Sequence, residues 1–214
     1  MDIETVGHAG MLLRDDQGAP LLFTDPWVSG SCYWRSWWLQ NYPREPLLQE
    51  LRTVPYCFIT HEHPDHFHTA SIRLLGKGIR YLSPEFPQGH IVPYLRGQGH
   101  EADVVPPFQW KALHPDVRIL SIPLLNDDSV LLIDTPRAFI INMNDSKPRR
   151  SQLRQLAATL DAVAQGKTRV LLSSYSPASI VNSFVRATSR VSLREKADYV
   201  RYVSDNCALL RIDY

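Results

Sequence analysis

The sequence predicts an α/β sandwich built from two β-sheets. Strand-length aliphatic runs recur through both halves, and segments of helical periodicity follow the strands in each half. A dense group of histidines lies directly after one strand, where α/β proteins place their ligands.

At 214 residues the chain is long enough for one large domain and short for two, so a single domain over 1–214 is expected. A hydrophobic content of 44% and a charged content of 21% are those of a soluble globular protein. The net charge of +1 gives no electrostatic footprint for nucleic acid or for a polybasic membrane anchor. No apolar run approaches the ~20 residues that cross a bilayer. Met1-Asp2-Ile3-Glu4 is acidic and strand-like, unlike a signal peptide. Cys32, Cys57 and Cys207 are odd in number and lack metal-ligand spacing, as reduced thiols in a cytoplasm would be.

Residues 2–6, 10–13 and 20–24 read as opening strands, with the turn-rich Asp15-Asp16-Gln17-Gly18 between the last two. Asp25-Pro26-Trp27 ends the third strand and opens an irregular stretch, 28–43, rich in aromatic residues. A long structureless loop is uncommon unless functional. Tyr33, Trp34, Trp37 and Trp38 are therefore expected to wall a substrate pocket; the competing reading is that they patch the edge of the core. Residues 45–51 read as a short helix and 54–60 as a strand running into the histidines. Thr69 is expected to cap a helix that ends near Gly76. Strands near 79–82 and 103–105 bracket a Pro/Gly-rich connection.

In the second half, 117–124, 130–134 and 138–142 read as successive strands. Leu153, Leu156, Leu160 and Val163 recur at helical spacing within 151–164, and Gly166 follows. A strand at 169–173, helices near 178–187 and 193–204, and a closing strand at 207–212 complete the reading.

His61, His63, Asp65 and His66 place four imidazole or carboxylate groups within six residues. In an extended segment residues two apart point the same way, so His61 and His63 can reach one metal ion. Pro64 then bends the chain and turns Asp65 and His66 toward a second point. Such ligands suit zinc, iron or manganese. His68 lies outside the pattern and is expected to be exposed.

His61-Glu62-His63-Pro64-Asp65-His66 after a strand resembles the signature of the metallo-β-lactamase superfamily. Val6-Gly7-His8-Ala9-Gly10 resembles the opening Gly-His strand of its lactonase-like branch, and Thr24-Asp25-Pro26-Trp27 is similar to its strand-ending Asp. Asn144-Asp145-Ser146 is similar to the segment that carries the bridging carboxylate. The aromatic 27–38 loop and Thr60-His61-Glu62-His63 look most like the subgroup containing the metallo-domain of CMP-N-acetylneuraminate hydroxylase. The resemblance covers nearly the whole chain. It implies an αββα four-layer sandwich of two mixed β-sheets flanked by helices. It also implies that His61 and His63 bind a first metal, Asp65 and His66 a second, and that Asp145 bridges them. Asp25 would hold a ligand imidazole by hydrogen bonding. His8 would orient groups or transfer protons at the site, or else be a core histidine bonded to backbone.

Two further histidines of the family's full two-metal site are missing here. One is expected where the sequence reads Leu124-Leu125-Asn126-Asp127-Asp128, and Asn126, Asp127 or Asp128 could supply an oxygen ligand instead. The other is expected near Ser173-Ser174-Tyr175-Ser176, where Tyr175 could offer a phenolate. Oxygen in place of nitrogen moves a site from zinc toward iron or manganese. One or two divalent ions are therefore expected, in a mononuclear or weakly occupied dinuclear site. The chain stops at Tyr214 after the expected closing strand, and an open strand edge tends to pair, so a homodimer is expected.

The first functional expectation is a metal-dependent hydrolase of a small-molecule ester, lactone, amide or phosphoester. The metal would activate water and polarise the scissile group, Asp65 or Asp145 would take the proton, and Arg35 or Lys147 would receive an anionic group. The alternative is an iron-dependent oxidoreductase or oxygenase. The missing histidines favour it, although the chain lacks a Rieske-type Cys-x-His…Cys-x-x-His pattern. A non-catalytic binding member is the third reading. The expected partner is a small-molecule substrate in the cytoplasm, with neither nucleic acid nor membrane involved.

Overall fold

The computed structural model describes residues 1–124, 127–174 and 196–214. They form two compact units, Met1–Leu131 and Leu132–Tyr214.

The first unit opens with β1 (Asp2–Val6), β2 (Gly10–Arg14) and β3 (Pro20–Thr24), paired antiparallel in that order. The turn between β1 and β2 needs its glycine. Gly7 has a φ of 67°, and a Cβ there would meet the Trp27 carbonyl oxygen at 2.7 Å. That turn carries His8. A hairpin follows, β4 (Ser31–Cys32) with β5 (Trp37–Trp38), inside the stretch expected to be irregular.

Beyond α1 (Glu45–Leu51), the strands β6 (Tyr56–Phe58), β7 (Arg80–Pro84) and β8 (Ala102–Val105) add in parallel to β3. The sheet order is β1-β2-β3-β6-β7-β8. Parallel neighbours need crossovers, and these carry α2 (Thr69–Leu75) and α3 (Ile91–Gly97). The helix α3 lies in the connection expected to be Pro/Gly-rich loop, where Ile91, Val92 and Leu95 are buried at helical spacing. Leu12, Phe23, Leu51, Cys57, Ile72 and Leu95 belong to one continuous core. Burying the core strands in this way fixes where β3 and β6 end, and those two ends carry the site.

The strands β9 (Lys111–His114) and β10 (Val117–Pro123) form an antiparallel hairpin across His114-Pro115-Asp116, and β11 (Ser129–Asp134) is buried throughout. The second sheet has the order β13-β12-β11-β10-β9.

In the second unit, β12 (Ala138–Asn144) and β13 (Thr168–Ser173) pair in parallel, joined through α4 (Arg150–Val163). Leu153, Leu156 and Leu160 form the buried stripe of α4. The helix α5 (Lys196–Leu210) replaces the expected closing strand. Cys207-Ala208-Leu209-Leu210 reads as a strand in isolation, but buried Asn206 and Leu210 continue a helical spacing. The last residues still lie along β13, where Asp213 and Tyr214 N–H donate to the Arg169 carbonyl at 2.9 and 3.1 Å. The helix expected near 178–187 and Tyr175 lie outside the described residues. No helix among the described residues is long and apolar enough to cross a membrane.

Candidate metal centre

The site begins where parallel β3 and β6 end side by side. Asp25 N–H donates to the Phe58 carbonyl at 2.9 Å. Asp25 has a φ of 45°, a left-handed conformation that aspartate tolerates better than most residues. Its buried Oδ1 accepts from Thr60 N–H at 2.8 Å and from the Thr60 hydroxyl at 3.0 Å. Its Oδ2 lies 3.2 Å from His66 Nδ1. One carboxylate therefore ties two strand ends to a buried imidazole.

The histidine turn follows. His66 and Phe67 N–H both donate to the His63 carbonyl, at 2.9 and 2.7 Å, closing the bend that Pro64 starts. His61 Nδ1 lies 3.1 Å from the Thr60 hydroxyl and 3.3 Å from Asp128 Oδ1. His61 Nε2 lies 2.8 Å from His63 Nδ1. The His61 ring centroid is 4.5 Å from that of His63 and 4.0 Å from that of His66. Three imidazoles thus crowd together while the Thr60 hydroxyl and the Asp25 carboxylate meet the outer nitrogens of His61 and His66. This donor set fits zinc, iron or manganese. Holding one ring nitrogen as a donor leaves the other's lone pair for a metal.

Asp65 is buried beside them. Its Oδ1 accepts from the Tyr33 hydroxyl at 2.8 Å. Its Oδ2 lies 3.4 Å from both His8 Nε2 and His66 Nε2. Burial pushes the Asp65 carboxyl up, but the neighbouring His66 and His8 rings and the Tyr33 hydroxyl outweigh it and hold the group well below the usual carboxylate range. His8 is partly exposed, with its ring 5.7 Å from Trp27 and 6.0 Å from Trp37. That is an edge-of-site position rather than a core one.

The aromatic loop divides in two. Trp27, Cys32 and Leu39 form a small buried core, with Tyr33 and Trp37 packed on it. Tyr33 and Trp37, 4.9 Å apart, lie beside Asp65 and His8. Trp34 and Trp38 are 95% and 62% exposed and turn to solvent. Burial, followed by the neighbouring Asp65 charge, pushes the Cys32 thiol up to about 12.

The remaining expected residues are placed as follows. Asp128 Oδ1 lies 3.3 Å from the nitrogen of His61 that faces away from His63, outside the convergence point. Asp127 is exposed with a φ of 56°, and Asn126 lies outside the described residues. Asp145 follows β12 in the second unit, where Lys147 Nζ donates to its carbonyl at 3.1 Å. Arg35 is exposed on the β4–β5 turn. His68 is buried, not exposed: its Nδ1 accepts from Ser71 N–H at 3.2 Å and caps α2, the role expected of Thr69. A cavity of about 220 Å³ lined by Glu62, Phe86, Ile91, Arg96 and Asp127 adjoins the motif, but none of His61, His63, Asp65 or His66 lines it.

Sequence reasoning missed the roles of Thr60 and Ser71. The Ser71 hydroxyl accepts from Val28 and Ser29 N–H at 2.9 and 3.1 Å. Thr60 carried a local signal, a hydroxyl directly before the first histidine. Ser71 carried none, because its partners lie more than forty residues away.

No family model matches the chain. A proposed Rieske 2Fe-2S iron-sulfur protein of Mycobacterium tuberculosis is 28% identical over 165 residues, covering 69% of this chain and 30% of that protein. The cytidine monophosphate-N-acetylneuraminic acid hydroxylase of Cricetulus griseus is 24% identical over 217 residues, covering 94% of this chain. The chain spans 30% and 38% of the length of these two relatives. Among solved structures, an isothiocyanate hydrolase from Delia radicum gut bacteria superposes with a TM-score of 0.54 at 12% identity, covering 80% of this chain and 84% of that one. A possible metal-dependent hydrolase from Veillonella parvula also gives 0.54, at 10% identity, covering 95% and 92%. These two likenesses are of fold. With mixed parallel and antiparallel sheets and the histidine motif at the end of β6, the chain is a metallo-β-lactamase-fold protein, similar in sequence to the CMP-N-acetylneuraminate hydroxylases.

Proposed function

We propose that the chain is a metal-dependent hydrolase acting on a small-molecule ester, lactone, amide or phosphoester. One observation carries this reading: His61 Nε2 and His63 Nδ1 converge at 2.8 Å while the Thr60 hydroxyl meets the outer nitrogen of His61 and Asp25 that of His66. Two neutral imidazoles at that distance share one proton at most, whereas a cation between them would satisfy both lone pairs. In this reading His61 and His63 would hold one ion, and Asp65 and His66 a second. A bound ion would acidify a water molecule and polarise the scissile group.

The chain's own residues supply the rest. Asp25 and the Thr60 hydroxyl fix the histidine tautomers. Asp65, held ionised, is ready to ligate. His8, partly exposed against Asp65 Oδ2, is placed to exchange a proton with solvent. Tyr33 and Trp37 offer the substrate an apolar edge. The test is hydrolysis of a panel of esters, lactones and phosphoesters by protein loaded with zinc or manganese, against the same protein stripped by chelator. Metal-dependent turnover of any member supports the reading; none with either metal refutes it.

The names of the sequence relatives favour a second reading, an iron-dependent oxidoreductase on the same ligands. Iron in the protein as purified, with oxygen consumption in place of hydrolysis, would select it.

A further inference from the structure

We infer that the β4–β5 hairpin is a clamp on the metal-binding turn, and that Tyr33 is the positioning residue that holds Asp65 so that it presents one oxygen, Oδ2, to the metal. The inference rests on the metal reading above and gives Tyr33 a role beyond a pocket wall.

Three contacts run from the hairpin to the turn. The Cys32 thiol donates to the Pro64 carbonyl at 2.9 Å. The Tyr33 hydroxyl donates to Asp65 Oδ1 at 2.8 Å. The Ser31 carbonyl lies 3.4 Å from His68 Nε2. Three consecutive residues of the hairpin, Ser31, Cys32 and Tyr33, thus reach His68, Pro64 and Asp65 of the turn. The two Asp65 oxygens are thereby distinguished: Tyr33 takes Oδ1, and Oδ2 faces His66 Nε2 and His8 Nε2 at 3.4 Å each. A carboxylate tied at one oxygen ligates through the other.

The hairpin turn is unfavourable on its own terms. Tyr33, Trp34 and Arg35 have φ values of 47°, 55° and 67° in succession. Left-handed backbone at non-glycine residues costs roughly 1 kcal/mol or more each. None of the three is the glycine, asparagine or aspartate that such turns favour. The tip is held by Ser36, whose N–H and hydroxyl donate to the Tyr33 carbonyl at 3.1 and 2.6 Å, and by Trp38 Nε1 donating to the Arg35 carbonyl at 2.9 Å. Trp37 packs on the Tyr33 ring. This conformation aims the Tyr33 hydroxyl inward and sends Trp34 outward. Backbone strain that persists beside a ligand set is often tied to function.

The test uses cobalt(II) as the probe, titrated into metal-free protein and followed by its visible d–d absorption. Tyr33→Phe keeps the ring on Trp37 and removes only the hydroxyl. The expected result is cobalt affinity weakened about tenfold, a changed d–d band as Asp65 reorients, and a melting temperature of the metal-free protein lowered by only a few degrees, as the loss of one hydrogen bond gives. In an Asp65→Ala background, Tyr33→Phe should have no further effect on affinity. Equal cobalt affinity and spectrum in wild type and Tyr33→Phe overturns the clamp and leaves the metal reading standing. The same loss with and without Asp65 also overturns it, since the hydroxyl would then act on the fold at large. Failure of the wild type to take up cobalt overturns the metal reading, and the clamp with it.

Discussion

Replacing Asp25 separates what the strand ends need from what the metal needs. In Asp25→Ala the buried Thr60 N–H loses its acceptor, the Thr60 hydroxyl loses both carboxylate oxygens, and alanine must adopt the φ of 45°. A stranded buried donor costs about 1–3 kcal/mol, and left-handed backbone at alanine about 1 kcal/mol more. With two donors stranded, the expected destabilisation of metal-free protein is roughly 3–7 kcal/mol, a large part of a typical domain's stability. Asp25→Asn differs. Its oxygen still accepts from Thr60, and asparagine tolerates the left-handed region, so the loss should be about 1 kcal/mol. Its NH2 group then faces His66 Nδ1, which must become an acceptor. The His66 proton moves to Nε2, the nitrogen facing Asp65. Metal affinity should fall about 10–100-fold, as when other partners that orient metal-binding histidines are removed. Urea unfolding gives the stabilities, and competition with a chromophoric chelator gives the affinities. Two results would refute the reasoning: wild-type affinity in Asp25→Asn, or a stability loss in Asp25→Asn as large as in Asp25→Ala.

Two further perturbations probe the scaffold of the first unit. Ser71→Ala leaves Val28 and Ser29 N–H without their hydroxyl acceptor and should cost about 2–4 kcal/mol; a shift in the urea midpoint below 0.5 kcal/mol-equivalent, on the order of an ordinary surface change, would contradict it. Burial, then the nearby Lys77 charge, lowers the pKa of His100. A depressed histidine binds fewer protons folded than unfolded, so its stabilisation is complete above the unfolded value of about 6.5 and is lost as pH falls below it. Stability measured from pH 7.5 to 5 should therefore fall less steeply in His100→Gln than in wild type, and parallel profiles would refute this.

Much of the first unit was legible because each element has a local cause. Short apolar runs bounded by turn residues marked β1 to β3, His61 to His66 stood out by density, and the aspartate at the end of β3 was recognisable from its place in Thr24-Asp25-Pro26-Trp27. The ends of the chain's logic were less visible. The run Cys207-Ala208-Leu209-Leu210 fits either period when read alone, and only packing within α5 decides it. Ile91-Val92-Pro93 looked like loop because of its proline, which sits in the first turn of α3, where its missing N–H costs nothing. The partition of the aromatic loop followed from backbone: three successive left-handed residues send Trp34 out and Tyr33 in, and no periodicity encodes that. Likewise Asp128 was visible as an oxygen near the site, but which nitrogen of His61 it meets depends on the fold.

The account stands on His61 and His63 as a shared metal site, and metal content tests it most directly. Wild-type protein and the His61→Ala, His63→Ala double variant should be purified side by side without chelator or added metal, then analysed for zinc, iron and manganese per chain. The predicted result is a stoichiometric ion in the wild type and its loss in a double variant that remains folded. A wild type free of metal that takes up none when zinc, iron and manganese are supplied, or a folded double variant that keeps its full metal content, would contradict it.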